Sequence, residues 1–213
     1  MISHGHVDHG GGLARFLELN AKAPVYLRRG AFEPHYWKRR FRLVDVGLKP
    51  LASPRLRFFD GPVELAPGLS ILPAARAAGF IPTANRASYT RKAGRPRRDD
   101  FSHEALLSVE EDGKLSVFTG CSHSGVTNMM ETARRASCGL PIGAVVGGMH
   151  LFHSPLAPFR FARDMRRLAA DLAAYEGARY YTGHCSVEDG YERLKAVLGD
   201  RITRIASGRV LEL

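Results

Sequence analysis

The stretch "SHGHVDHGGG", from Ser3 to Gly12, places His4, His6, Asp8 and His9 within six positions at the start of the chain. Successive side chains alternate faces along extended backbone, so His4 and His6 point the same way. Asp8 and His9 follow in a turn loosened by Gly5 and by Gly10-Gly11-Gly12. This spacing can aim two imidazoles at one metal ion, and a carboxylate and an imidazole at a second. Imidazole with carboxylate suits Zn²⁺, one ion or two, with Fe or Mn as alternatives. A His-rich terminus with no ligand role is the competing reading. The HxHxDH spacing weighs against it, being far more specific than a count of histidines. Such ligands normally sit on a loop held by a preceding strand, and almost nothing precedes them here.

Three further histidines end expected strands: His123 in "FTGCSHSG", His150 in "GGMHLF" and His184 in "YYTGHCS". Open α/β sheets place their chemistry at such strand ends. His35, His103 and His153 lack this context and are expected on the surface or behind the ligands. Cys185 is expected to be a small buried hydrophobe. Ser122, Ser124 and Cys121 flank His123 without the nucleophile-elbow pattern GxSxG, which excludes a serine hydrolase.

Between these motifs the periodicity is mixed α/β, in one domain spanning residues 1–213. A short helix follows the glycines, and strands are expected at 25–27, 56–59, 69–73, 105–109 and 115–118. Asp112-Gly113 marks a two-residue hairpin between the last two. Val126, Met129, Met130 and Ala133 form one helical face, and Phe161, Met165, Leu168, Leu172 and Tyr175 another. Strands are expected at 142–146, 179–181, 202–205 and 210–213. Ser186 and Asp189 have capping-box spacing for a helix with Tyr191, Leu194 and Leu198 inward. Residues 83–100, "TANRASYTRKAGRPRRDD", lose periodicity and gain charge, which predicts a mobile basic lid. Its Arg91, Arg95, Arg97 and Arg98 suit bidentate grip on a phosphate; a solvated basic loop is the plain alternative. Arg28, Arg29, Lys38, Arg39 and Arg40, interleaved with Tyr36 and Trp37, could instead stack single-stranded bases.

Charge narrows the partner: 31 basic against 21 acidic residues give +10. That implies an anionic partner, here expected to be a phosphorylated small molecule, with nucleic acid the less favoured option. No apolar run of membrane-spanning length occurs, so no membrane is expected. The start lacks the regions of a signal peptide, and three cysteines without CxxC spacing point to a reducing, cytoplasmic compartment.

Taken together, these motifs resemble the metallo-β-lactamase superfamily, whose fold is an αββα sandwich holding one or two metals. The resemblance implies a first metal position at His4, His6 and His123, and a second at Asp8, His9 and His184. "DDFSHEALLSVEEDGKLSVFTGCSHSGVTNM", "GGMHLF" and "TGHC" are similar to its dihydropterin–ribofuranosylaminobenzene phosphate synthase-like branch. The implied activity is a metal-dependent hydrolase or synthase-like transferase, in which the metal activates water or acts as a Lewis acid on phosphoryl oxygen. Asp8 would help hold or orient the attacking group. A phosphodiesterase or nuclease is the alternative enzyme, and a non-catalytic fragment the alternative of another class. Two departures stand out. The superfamily's bridging aspartate has no counterpart at the matching strand end, where His150 stands as ligand or substrate contact. The family's strands before HxHxDH are also missing, so the sandwich is expected to be N-terminally incomplete, with an open edge and part of an apolar face exposed.

Overall fold

Asp112 and Gly113 both adopt positive φ (49° and 70°), the conformation a two-residue hairpin turn requires. They join two strands of the central sheet. In a computed structural model covering residues 1–75, 79–152 and 158–212, thirteen strands are assigned. They are β1 (Val25–Arg28), β2 (His35–Arg39), β3 (Arg42–Asp45), β4 (Leu56–Phe59), β5 (Val63–Ala66), β6 (Leu69–Pro73) and β7 (Ser88–Lys92). The rest are β8 (Arg95–Arg98), β9 (Ala105–Glu111), β10 (Lys114–Phe118), β11 (Ile142–Val146), β12 (Arg179–Thr182) and β13 (Ile202–Arg204). The helices are α1 (Val7–Gly10), α2 (Leu13–Leu19), α3 (Val126–Ala136), α4 (Pro158–Ala173) and α5 (Glu188–Leu198).

The main sheet has seven strands in the order β13-β12-β11-β10-β9-β6-β5. From β10 to β13 neighbours are parallel, so each connection crosses over through a helix, α3, α4 and α5 in turn. That topology puts the loops after β10, β11 and β12 at one sheet edge, and those loops carry His123, His150 and His184. One face of the sheet is the main core. Met129 and Met130 of α3, Met165, Leu168 and Leu172 of α4, and Leu194 of α5 pack there on Leu106, Leu115, Val117, Val145 and Tyr180. On the opposite face Ile71 and Ala105 pack against Phe59 of β4, with Tyr26, Val63 and Leu107 half-buried. Strands β1 and β4 pair in parallel to form that second β layer, and Arg55 donates to the carbonyls of Leu17 and Asn20 at the end of α2. The layering is the expected αββα sandwich. Its second apolar face is the thinner, with Phe58 and Leu65 each 39% exposed.

Several expectations need correction. Residues 83–100 are not an irregular lid: Thr83–Ala87 is a 3₁₀ turn, and β7 and β8 form a hairpin through Ala93 and Gly94. With β2 and β3 they make a four-stranded antiparallel sheet, β3-β2-β7-β8. Arginine stacking replaces the apolar alternation that normally reveals such strands: Arg91 lies 5.4 Å from the Tyr36 ring and Arg98 4.6 Å from the Tyr89 ring. Ser186 does not cap α5. Val187 holds the N-cap position, while Ser186 Oγ accepts from Met149 N–H at 3.0 Å and bonds Thr182 Oγ1 at 2.6 Å. Residues 210–212 form no strand; Leu213, like His153, lies outside the described residues. Among the described residues, no helix is long and apolar enough to cross a membrane.

Met129 is fully buried between α3 and the sheet. Met129→Ala should therefore lower stability by about 2–5 kcal/mol, seen as a lower urea midpoint at unchanged slope.

Candidate metal centre

Backbone hydrogen bonds hold the HxHxDH segment on both sides. Ile2 N–H donates to Tyr26 O of β1, and Ala105 N–H of β9 donates to Ser3 O, both at 2.8 Å. Residues 46–48 stitch the other side, Val7 N–H to Val46 O at 2.8 Å and Leu48 N–H to Gly5 O at 3.0 Å. Gly5 must be glycine, because a Cβ there would lie 2.5 Å from Ala31 O and 2.7 Å from His35 Nε2.

Beneath the segment runs a buried polar relay. Gly5 N–H donates to His103 Nδ1 at 2.9 Å, which leaves His103 Nε2 facing Asp99 Oδ1 at 3.5 Å. His35 donates from Nδ1 to Asp99 Oδ2 at 2.7 Å and from Nε2 to Gly30 O at 2.9 Å. Two donated bonds require an imidazolium. Burial opposes that charge, but the Asp99 carboxylate outweighs it and raises the His35 pKa. The same burial opposes ionisation of Asp99, yet its contacts with His103 and His35 hold the carboxyl far below its usual range. His35 and His103 are therefore buried behind the ligands, not at the surface.

The donors fall into the two groups implied by the resemblance. His4, His6 and His123 are buried, with ligand nitrogens within 4.8 Å of one another. Ser3 Oγ bonds His4 Nδ1 at 3.1 Å, and Asn85 Oδ1 bonds His123 Nδ1 at 3.0 Å. On the far side of each ring, Nε2 has no hydrogen-bond partner among the described residues. Burial first, and then neighbouring imidazoles, push the pKa of His4 well down, lower His6 to about 3, and push His123 well down. Neutral imidazoles with a free inward lone pair are what a metal ion requires. Glu104 is wholly buried and clamps the loop that carries His123, accepting from His123 N–H at 2.8 Å and Ser124 N–H at 2.6 Å. Burial raises its pKa to about 7.

Asp8, His9 and His184 form the second group, joined by Cys121, with all four donor atoms within 4.8 Å of one another. His184 Nε2 lies 3.0 Å from Asp8 Oδ2, and His9 Nε2 lies 3.6 Å from the same oxygen. Ser122, His150 and His184 all hold positive φ (56°, 50° and 52°), so each strand-end loop is bent sharply towards the groups. His150 lies beside both groups, its ring centroid 4.1 Å from that of His123. It helps to line a cavity of about 480 Å³ with His6, Asp8, His184, Trp37 and Phe152. Arg91, Arg95, Arg97 and Arg98 sit exposed on β7 and β8 and do not line that cavity.

Sequence reasoning missed Cys121, Glu104, Asn85 and the Asp99 relay. Only Glu104 carried a local signal, a carboxylate opening the apolar run "ALLSV".

The pH dependence of stability follows from the imidazoles. His4, His6, His9, His103 and His123 all have lowered pKa values, chiefly through burial. Below pH 6.5 the unfolded chain therefore binds protons that the folded chain refuses, and stability falls as pH falls. His35, shifted upward, is largely protonated in both states below 6.5 and adds little in that window, while Glu104, raised to about 7, binds a proton only when folded and offsets one of the five imidazoles. Each such group contributes about 1.4 kcal/mol per pH unit between its two pKa values. The metal-free protein should unfold at clearly lower urea at pH 5 than at pH 7 by circular dichroism. An unchanged midpoint would mean that the folded state accepts these protons.

No family model matches the chain. It is similar over its whole length to the 7,8-dihydropterin-6-methyl-4-(beta-D-ribofuranosyl)-aminobenzene-5'-phosphate synthase of Methanocaldococcus jannaschii, with 23% identity and 74% of that protein covered. An uncharacterized protein of the same organism is 28% identical over 71% of this chain, which spans 57% of that relative's length. The crystal structure of Tm1679, a metal-dependent hydrolase of the beta-lactamase superfamily, superposes with a TM-score of 0.79 at 25% identity. That match covers all of this chain and 78% of the other. With its layered sheets, its strand-end histidines and these relatives, the chain has the fold of the metallo-β-lactamase superfamily and is similar to that dihydropterin phosphate synthase.

Proposed function

We propose that this chain is a metal-dependent enzyme acting on a phosphorylated, pterin-like small molecule. The observation that carries the reading is the convergence of two donor groups, one with unpartnered buried imidazole nitrogens, on a single aromatic-walled cavity. His4, His6 and His123 would hold one ion, and Asp8, His9 and His184 a second. Zn²⁺, or Fe or Mn in its place, would supply Lewis acidity to a phosphoryl or diphosphate oxygen.

The chain's own groups do the rest. Trp37 and Phe152, with ring centroids 6.5 Å apart, offer apolar surface to a flat heteroaromatic ring. Neither ring nitrogen of His150 has a hydrogen-bond partner among the described residues, so His150 can pass a proton to or from a substrate held against Trp37. Asp8, half-exposed at the cavity mouth, orients the attacking nucleophile. Arg91, Arg95, Arg97 and Arg98 belong to the sheet that carries Trp37, which supports a role in meeting the substrate's phosphate from the rim. The +10 charge agrees with an anionic substrate, and three free cysteines agree with a reducing cytoplasm. Hydrolysis of a phosphodiester is the second reading, favoured by the hydrolase among the structural relatives.

Metal content after exhaustive dialysis tests the foundation. One to two ions per chain are expected, with at least one lost in His123→Ala; a soluble, folded chain that retains none overturns the reading. Condensation of a pterin methyl diphosphate with an arylamine phosphate, run beside hydrolysis of a bis-aryl phosphate and of RNA, separates the synthase from the hydrolase. Activity only on RNA would reject a small-molecule substrate.

A further inference from the structure

We infer that Cys121 is a thiolate ligand of the second metal position, which makes it a four-donor Asp8, His9, Cys121 and His184 site. The inference rests on the metal-binding reading above and adds a donor that the fold resemblance did not supply. Cys121 Sγ lies 3.0 Å from His9 Nε2, and the four donor atoms sit within 4.8 Å of one another. Ligands held about 2.0–2.3 Å from a tetrahedral ion stand about 3.3–3.8 Å apart, so a small spreading of the present contacts admits the ion. The donors come from three places in the fold. Asp8 and His9 sit on α1, Cys121 follows β10, and His184 follows β12.

The loop after β10 fixes where the sulfur points. Gly148 N–H donates to Gly120 O at 2.8 Å, and Ser122 Oγ donates to Thr119 Oγ1 at 2.9 Å. Ser122 then turns through positive φ, sending His123 to the first group while Cys121, two residues earlier, reaches the second. Thus one short loop supplies a ligand to each position.

Cys185 is the nearest rival sulfur: it stands with Cys121 and His150 in a separate group whose donor atoms lie within 4.8 Å of one another. Its Sγ accepts from His150 N–H at 3.2 Å, and a Cβ on Gly148 would lie 2.4 Å from it. It does not join the Asp8 group. Cys138 is exposed at the end of α3. On metal binding the Cys121 S–H bond breaks, the sulfur keeps the electron pair and bonds the ion, and the proton leaves to solvent. A soft sulfur donor strengthens the preference for Zn²⁺ or Co²⁺ over Mn²⁺ or Mg²⁺ at this position.

Cobalt titration of the metal-free full chain tests this, read by near-ultraviolet sulfur-to-cobalt charge transfer and by cobalt bound per chain. Wild type and Cys185→Ser should both show the band, and Cys121→Ser should lose it while still binding cobalt at the histidine group. Cobalt bound without the band, or a band that survives in Cys121→Ser, overturns the inference. Failure to bind any cobalt would overturn the metal reading beneath it as well. Should Cys121→Ser not fold, zinc X-ray absorption on wild type and Cys185→Ser decides the point. A sulfur shell at about 2.3 Å in both is expected, and a shell of only nitrogen and oxygen in either overturns it.

Discussion

The ion pair between His35 and Asp99 lies beneath the whole site. A buried pair of charges is expensive to desolvate, and it persists only where every remaining donor and acceptor is used. Here they are used. His35 donates its second proton to Gly30, and Asp99 accepts from Phe101 N–H at 2.8 Å as well as from His35. His103 then carries the pair's orientation to the Gly5 N–H, in the middle of the segment that presents His4 and His6. Side chains drawn from residues 35, 99 and 103 thus support that segment from beneath.

A second constraint is the dryness of the first donor group. Three imidazoles crowded together with almost no solvent cannot share protons, because each added charge would be both desolvated and repelled by its neighbours. Their Nδ1 partners, Ser3 for His4 and Asn85 for His123, hold two of the rings with their Nε2 atoms inward and neutral. The arrangement costs stability in the metal-free chain, and a cation bound to those lone pairs would return it. The positive φ values of Ser122, His150 and His184 belong to the same trade: local strain is held where donors must face inward.

Much of the scaffold was legible. The Asp112-Gly113 turn, the apolar helical faces of α3 and α4, and the buried strand β11 all declared themselves through local period and turn chemistry. The hairpin of β7 and β8 did not, because its exposed faces are held by arginine–tyrosine stacking and carry no alternation to detect. Ser186 also misled. Its capping-box spacing was real, but Met149 and Thr182 already occupy its hydroxyl, and a side chain can honour only a few hydrogen bonds.

The sequence by itself determined that His4, His6, Asp8, His9, His123 and His184 could serve as donors and that the strand-end histidines would lie on glycine-flanked loops. Residue type and short-range spacing contain that information, and HxHxDH with three strand-end histidines is sufficient for it. Tertiary structure alone decided which donors meet. The parallel order of β10, β11 and β12 gathers His123, His150 and His184 at one sheet edge. The packing of residues 2–6 between β1, β9 and residues 46–48 brings the amino-terminal histidines to them. Cys121, Glu104 and the Asp99 relay entered the site in the same way. The links that decide them, His9 to Cys121, Glu104 to His123, His35 to Asp99 and Gly5 to His103, join residues far apart along the chain, and no local pattern encodes a contact that exists only once the sheet has closed.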